Sequence, residues 1–294
     1  MRARLTPRRA ARRRQHGLTL VELMVSVTIG LFVVAAMFLA YSNSGGTSRQ
    51  ANIVIRMSED AALAFNVLRQ QVSLAGFSMP VGVNAGQTAL TKRFNSRGVF
   101  GCDGAFEDMD ADIDTLACDE AAGAAPDSLA VAFEADAFNS VLTADGSPVD
   151  CIGNGIPLVP GADYWVSYSR FYVSNGTLFC RGSGNAGGQA LIDNVQEVSY
   201  QFGVAKAGEH RASYYDTAGN LDAAAWSRVV TVRVCLVLRS AEPILEGVSV
   251  ANPNTYQGCD PFADPVDMGA ADRRLYRAFT STIAVNNRLL RQPS

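Results

Sequence analysis

One stretch limits what this chain can become. From Leu23 to Tyr41 the sequence has no charge and no proline, and Ser26 and Thr28 are its only polar residues. At 1.5 Å per residue in a helix this run reaches about 28 Å, close to the hydrocarbon thickness of a bilayer. A helix is the one unpaired segment that satisfies all its own backbone groups there. Seven arginines and no acid precede Gly17. Such a basic flank stays on the cytoplasmic side, so everything after Tyr41 is expected to be exported.

Glu22 stands at the edge of this run. A carboxylate at a membrane helix is costly, and its presence calls for a partner. The best partner is a free α-amine, which exists nearby only if the chain is cut just before Leu18. The stretch His16-Gly17-Leu18-Thr19-Leu20-Val21-Glu22 resembles the start of type IV prepilins. In that family a leader peptidase cuts after a glycine, a large apolar residue becomes the N-methylated N-terminus, and glutamate is fifth in the mature chain. The resemblance implies cleavage after Gly17, methylation of Leu18 and a role in assembly for Glu22. Most members have phenylalanine where this chain has Leu18. An ordinary signal peptide or membrane anchor is the competing reading. Against the signal peptide, no small-x-small site closes the apolar run, which is also longer than a usual signal core.

The charge balance fits an exported body. The net charge of −3 includes a leader with seven of the 25 basic residues, so the mature chain carries 18 basic against 28 acidic, a balance of −10. That argues against nucleic acid as a main partner, since phosphate binding needs a basic patch. About 250 residues remain beyond the membrane segment, enough for a sizeable core. Six cysteines, at 102, 118, 151, 180, 235 and 259, all lie in the exported part. In an oxidising compartment they read as three disulfides with fifteen possible pairings. Sequence neighbours (Cys102 with Cys118, Cys151 with Cys180, Cys235 with Cys259) are the favoured set.

Along the chain, Ser42-Asn-Ser-Gly-Gly-Thr-Ser48 is poor helix material, each glycine costing about 1 kcal/mol relative to alanine, and a bend or melted turn is expected there. Then Ile53, Met57, Ala61, Ala64, Leu68, Val72 and Ala75 recur at spacings of 4, 4, 3, 4, 4 and 3, with Arg56, Glu59, Arg69 and Gln70 off the stripe. This is one face of an amphipathic helix, closed by Gly76 and Pro80. Residues 76–125 read as a long loop region. Ser128–Phe133 is a strand candidate. Tyr164–Ser174, Asn175-Gly176 and Thr177–Cys180 form a hairpin with a type I′ turn signal. Val198, Tyr200, Phe202 and Val204 alternate on a half-buried strand. Arg228–Arg239 is apolar on both faces, as in a central strand, and a last strand lies near Phe279–Val285. Strands grouped after a long helix argue for an antiparallel sheet in an α+β architecture.

The C-terminal half carries a second resemblance. NGTLFCRGSGNAGGQALIDNVQEVSYQFGV, SRVVTVRVCLVLRS and DRRLYRAFTSTIAVNNRL are similar to the matching half of PilW-type minor pilins, with J-type minor pseudopilins as nearest cousins. With the N-terminus, the resemblance covers roughly two-thirds of the chain; residues 80–160 match no family pattern. It implies a leader at 1–17, a transmembrane and filament-core helix at 18–41, its amphipathic continuation at 42–75, and a periplasmic head at 76–294.

Few residues offer chemistry. Asp108, Asp110, Asp112 and Asp114, with Asp119 in the twelfth place, resemble the start of a calcium loop. However, Ile113 stands where such a loop needs glycine, and a solvated acidic loop is the simpler reading. Gly182-Ser-Gly-Asn-Ala-Gly187 fits a dinucleotide search pattern, yet strand-like sequence follows where the phosphate-binding motif needs a helix. His210 is the only histidine after the leader and sits in a polar turn. Tyr214, Tyr215 and Trp226 are either an interaction patch or, more simply, core. No serine elbow or metal-spaced cluster stands out, and no cofactor is implied.

The expected function is therefore non-enzymatic: a minor pilin that primes or enters a type IV pilus. Its partners would be the prepilin peptidase, other minor and major pilins, the inner-membrane assembly platform and the membrane. It would start as a single-pass inner-membrane protein with a periplasmic head and end in the filament. A type II secretion pseudopilin is the alternative within the class. An anchored exported binding protein is the alternative outside it.

Overall fold

The computed structural model describes residues 17, 19–83, 90–120, 125–184, 187–243, 255–268 and 272–287, and for 42–49, 83 and 90 the backbone alone. Residues 1–16 of the expected leader, and Leu18, lie outside the described residues. The chain divides after Gln50 into two units. The first unit is the N-terminal part of helix α1, which runs Leu20–Leu74. No side chain of Leu20–Tyr41 is buried.

The backbone stays helical through 42–48, so the chain does not melt there. Helix formation is costly to nucleate and cheap to propagate. The few kcal/mol lost at Gly45 and Gly46 are offset by good helix formers on both sides.

In the second unit, from Ala51, the expected stripe is the buried one. Met57, Ala61, Ala64, Leu68, Val72 and Ala75 are buried, and Arg56, Glu59, Arg69 and Gln70 are exposed. Gly76 adopts φ 71°, the left-handed conformation that closes a helix, and its N–H donates to Ala132 O at 2.8 Å. Gly98 must be glycine for this contact, because a Cβ there would lie 2.4 Å from Gly76 N.

Short strands β1 (Pro80–Val83) and β2 (Leu90–Lys92) pair with each other, and β3 (Val99–Cys102) and β4 (Ser128–Ala135) follow. Residues 76–125 thus hold three strands where sequence implied a loop. Next come β5 (Trp165–Ser174), β6 (Thr177–Arg181), β7 (Gln189–Ile192), β8 (Val195–Ala205) and β9 (Ala212–Asp216). A 3-10 turn (Ala218–Asn220) and the short helix α2 (Ala223–Trp226) lead to β10 (Val229–Arg239), β11 (Thr255–Tyr256), β12 (Val266–Asp267) and β13 (Tyr276–Ala284). The β5–β6 turn has positive φ at both Asn175 (50°) and Gly176 (75°), as a type I′ turn requires.

Beside the two-stranded pairs β1–β2 and β11–β12, the described strands form two larger antiparallel sheets. One has the order β3-β4-β5-β6-β7 and the other β13-β10-β8-β9. β10 is central, and Val198, Tyr200 and Phe202 of β8 oppose Leu236, Val234 and Val232. Helix α1 is fixed to both sheets. Ser169 Oγ of β5 donates to the buried Gln71 at 2.8 Å, and Asn287, just past β13, donates its side-chain N–H to Ser73 O and Leu74 O. The latter bonds satisfy carbonyls that a helix end leaves open.

The sheets meet through an aromatic cluster and one carboxylate. The Trp226 ring lies 5.1 Å from that of Phe100 on β3 and 4.7 Å from that of Phe202 on β8. Asp127, just before β4, accepts from Tyr200 N at 3.0 Å, while its own N–H donates to Val198 O. Burial, with Asp103 and Glu197 nearby, pushes the Asp127 carboxyl up to about 6 against the pull of the Tyr200 N–H.

Candidate functional site

The N-terminal site is built on a helix start. Thr19 Oγ1 accepts from Glu22 N at 3.2 Å, while Thr19 N and Oγ1 donate to Glu22 Oε2 at 3.1 and 3.0 Å. This is a capping box, with threonine at the cap and glutamate three residues on. Both described bonds use Oε2. The T-x-x-E spacing was present in the sequence, and Thr19 is the residue that reading for a membrane span overlooks.

The next turns hide their polarity. Ser26 Oγ donates to Glu22 O at 2.7 Å, and Thr28 Oγ1 donates to Val25 O at 2.8 Å. Hydroxyls bonded to carbonyls of their own helix cost little in an apolar medium. Around them Phe32, Phe38 and Met37 are 78%, 70% and 66% exposed. A helix apolar on all sides needs lipid or other helices around it. By length and composition Leu20–Tyr41 is sufficient to cross a membrane.

The three disulfides join Cys102 to Cys118, Cys151 to Cys180 and Cys235 to Cys259, the sequence-neighbour set. They anchor the long connections of the head. Cys102–Cys118 closes the acidic loop, and Cys151–Cys180 ties the β4–β5 connection to β6. Asp150 adds to this second anchor by accepting from the N–H groups of Ile152, Asn154 and Gly184.

In the acidic loop the carboxylates meet donors of the protein itself. Asp108 accepts from Asp110 N, Asp112 from Asp114 N, and Asp114 from Arg97 N, each at 2.8 or 2.9 Å. Asp110 pairs with Arg181 and Asp112 accepts from the Tyr168 hydroxyl. Asp119 N donates to Ala105 O. Among the described residues no three acidic, histidine or cysteine side chains gather as a metal site. The glycine-rich stretch from Gly182 leads into β7, not a helix; Asn185 and Ala186 within it lie outside the described residues. His210 is exposed, as is Tyr214; Tyr215 is half-buried under Arg233, whose guanidinium lies 3.9 Å from the ring centre. Trp226 is core, which removes it from any surface patch.

Comparison with known proteins bears on this arrangement. A family model described as the prokaryotic N-terminal methylation motif matches residues 12–38. Another, described as Type IV Pilus-assembly protein W, matches residues 163–287, the segment that holds the β5–β6 hairpin and the whole four-stranded sheet. Among solved structures, the type IV-like pilin TTHA1219 from Thermus thermophilus is similar at 12% identity, over 79% of this chain and 98% of that one, with a TM-score of 0.40. No curated protein matches. The methylation motif, the apolar helix and the antiparallel head define the class as a type IV pilin-like subunit. Over residues 163–287 the chain is similar to PilW-type proteins of type IV pilus assembly.

Proposed function

We propose that the chain is made as a precursor, cut after Gly17 by the prepilin peptidase, and methylated at Leu18. The mature protein waits in the inner membrane through residues 18–41, with the head, residues 76–294, in the periplasm. It then moves through the assembly platform into a pilus beside other minor and major pilins. Its work is structural and not catalytic. The observation that carries this reading is the fully exposed apolar span Leu20–Tyr41 with a single carboxylate at its start.

Extraction from lipid needs a second apolar environment, and a bundle of like helices supplies one. Glu22 would pair there with the Leu18 amine of an adjacent subunit, so that two charges are compensated in a medium of low dielectric. Removing one side of such a pair costs about 3–5 kcal/mol. Glu22→Ala is therefore expected to leave cleavage intact and to lower the number of surface pili, counted by electron microscopy in a strain carrying only the variant. Normal pilus numbers would refute the pairing.

A further inference from the structure

Arg170 on β5 and Arg181 on β6 stand directly opposite each other. Like charges in that position destabilise a sheet, and here one of them is deeply placed. Arg170 is 8% exposed, and its Nε is buried with no hydrogen-bond partner. The acidic loop leans over the pair: Ala111 O accepts from Arg170, and Asp110 pairs with Arg181. Beside them the Tyr168 hydroxyl donates to Asp112 at 3.3 Å. Burial and Asp112 push that phenol up to about 12, so it remains a neutral donor. A cavity of ≈ 360 Å³ opens among these groups.

The same face of the sheet continues with an aromatic pair. Tyr172 and Phe179 are the next cross-strand neighbours, half-buried, with stacked rings 5.4 Å apart. Two guanidiniums and a phenol from the hairpin and two carboxylates from the acidic loop thus line one cleft, and the aromatic pair lies one step further along the sheet. A guanidinium fork matches a carboxylate. Aspartates accept hydrogen bonds from hydroxyls. A cavity of this size is at the small end for a ligand site, suited to one sugar ring.

We propose that this cleft binds a sugar acid, its carboxylate on Arg170 and Arg181, its hydroxyls on Asp110 and Asp112, and its ring toward Tyr172 and Phe179. The site involves residues 110–181 only and is independent of how the N-terminus is processed.

The test is ligand-observed NMR on the full chain in detergent. D-galacturonate is expected to bind, with D-galactose and the uncharged D-galacturonamide weaker by about tenfold or more, the usual loss for a charge-assisted hydrogen bond. Arg181→Gln is expected to weaken galacturonate by a similar factor. The amide comparison on the unaltered protein keeps the test valid if that variant misfolds. A free sugar acid and the end of an acidic polysaccharide present the same group. Trigalacturonate binding more tightly than the monomer would support the second source, and equal affinity the first. Galactose or acetate binding as well as galacturonate would overturn the proposal, as would a single-stranded oligodeoxynucleotide displacing it.

Discussion

The two parts of α1 differ in what buries them, and paired substitutions separate their roles. Leu68 lies at the middle of the buried stripe and is 0% exposed, while Phe32, on the same helix, is 78% exposed. Leu68→Ala deletes about three methylene equivalents, worth ~0.8 kcal/mol each, and leaves a cavity that the sheets close only in part. The expected loss of head stability is ~3 kcal/mol. Phe32→Ala removes more apolar area but touches no core, so its effect on head stability is expected to stay within about 0.5 kcal/mol. Urea unfolding of the full chain in detergent, followed by the fluorescence of the buried Trp226, measures both. With a denaturant slope of about 2–3 kcal/mol per molar, Leu68→Ala moves the midpoint down by about 1 M or more and Phe32→Ala leaves it in place. A loss below about 1 kcal/mol for Leu68→Ala, or an equal loss for both, would refute the division.

Asp127 links stability to pH. Burial pushes its folded-state carboxyl up to about 6, against 3.8 for an ordinary aspartate, so the folded protein holds this proton more tightly than the unfolded chain. The contribution is full below about pH 4 and is lost as pH rises through about 6. Two pK units correspond to ~3 kcal/mol, and screening at this partly exposed site lowers that to ~1 kcal/mol. Asp127→Asn, which keeps an acceptor for Tyr200 N–H, is expected to equal or exceed wild type at pH 7 and to erase that slope in a comparison of melting curves; an unchanged slope would refute the assignment. Separately, replacing Cys151 and Cys180 with serine opens a crosslink spanning 29 residues. Chain entropy sets the cost at ~3.6 kcal/mol, measurable by calorimetry, and a loss under 1 kcal/mol would contradict the anchoring role of this bridge.

Much of the fold was legible because periodicity reports burial. The stripe from Met57 to Ala75, the alternation from Val198 to Val204 and the Asn175-Gly176 turn each encode one geometry with few rivals. Strand β3 was not legible: its four residues are all buried and show no alternation. The continuous helix through Gly45 and Gly46 was misread because propensity is local, whereas propagation is cooperative. For Trp226 the sequence favoured core over an interaction patch without showing what it packs on. Its burial follows from Phe100 and Phe202, which are far apart in sequence, converging on it. The same limit hid the Arg170–Arg181 pair, since only the register of β5 on β6 sets those residues opposite each other. At the N-terminus, the resemblance to prepilins singled out Gly17 and Glu22, while the bonds of Thr19 to Glu22 emerged only with the helix start.

The central claim is that the chain works as a processed subunit, and the mass and N-terminal sequence of the protein recovered from native membranes test it most directly. The account predicts a chain that begins at Leu18 and carries one added methyl. A chain that still holds Met1 to Gly17, in cells with an active prepilin peptidase, would contradict it.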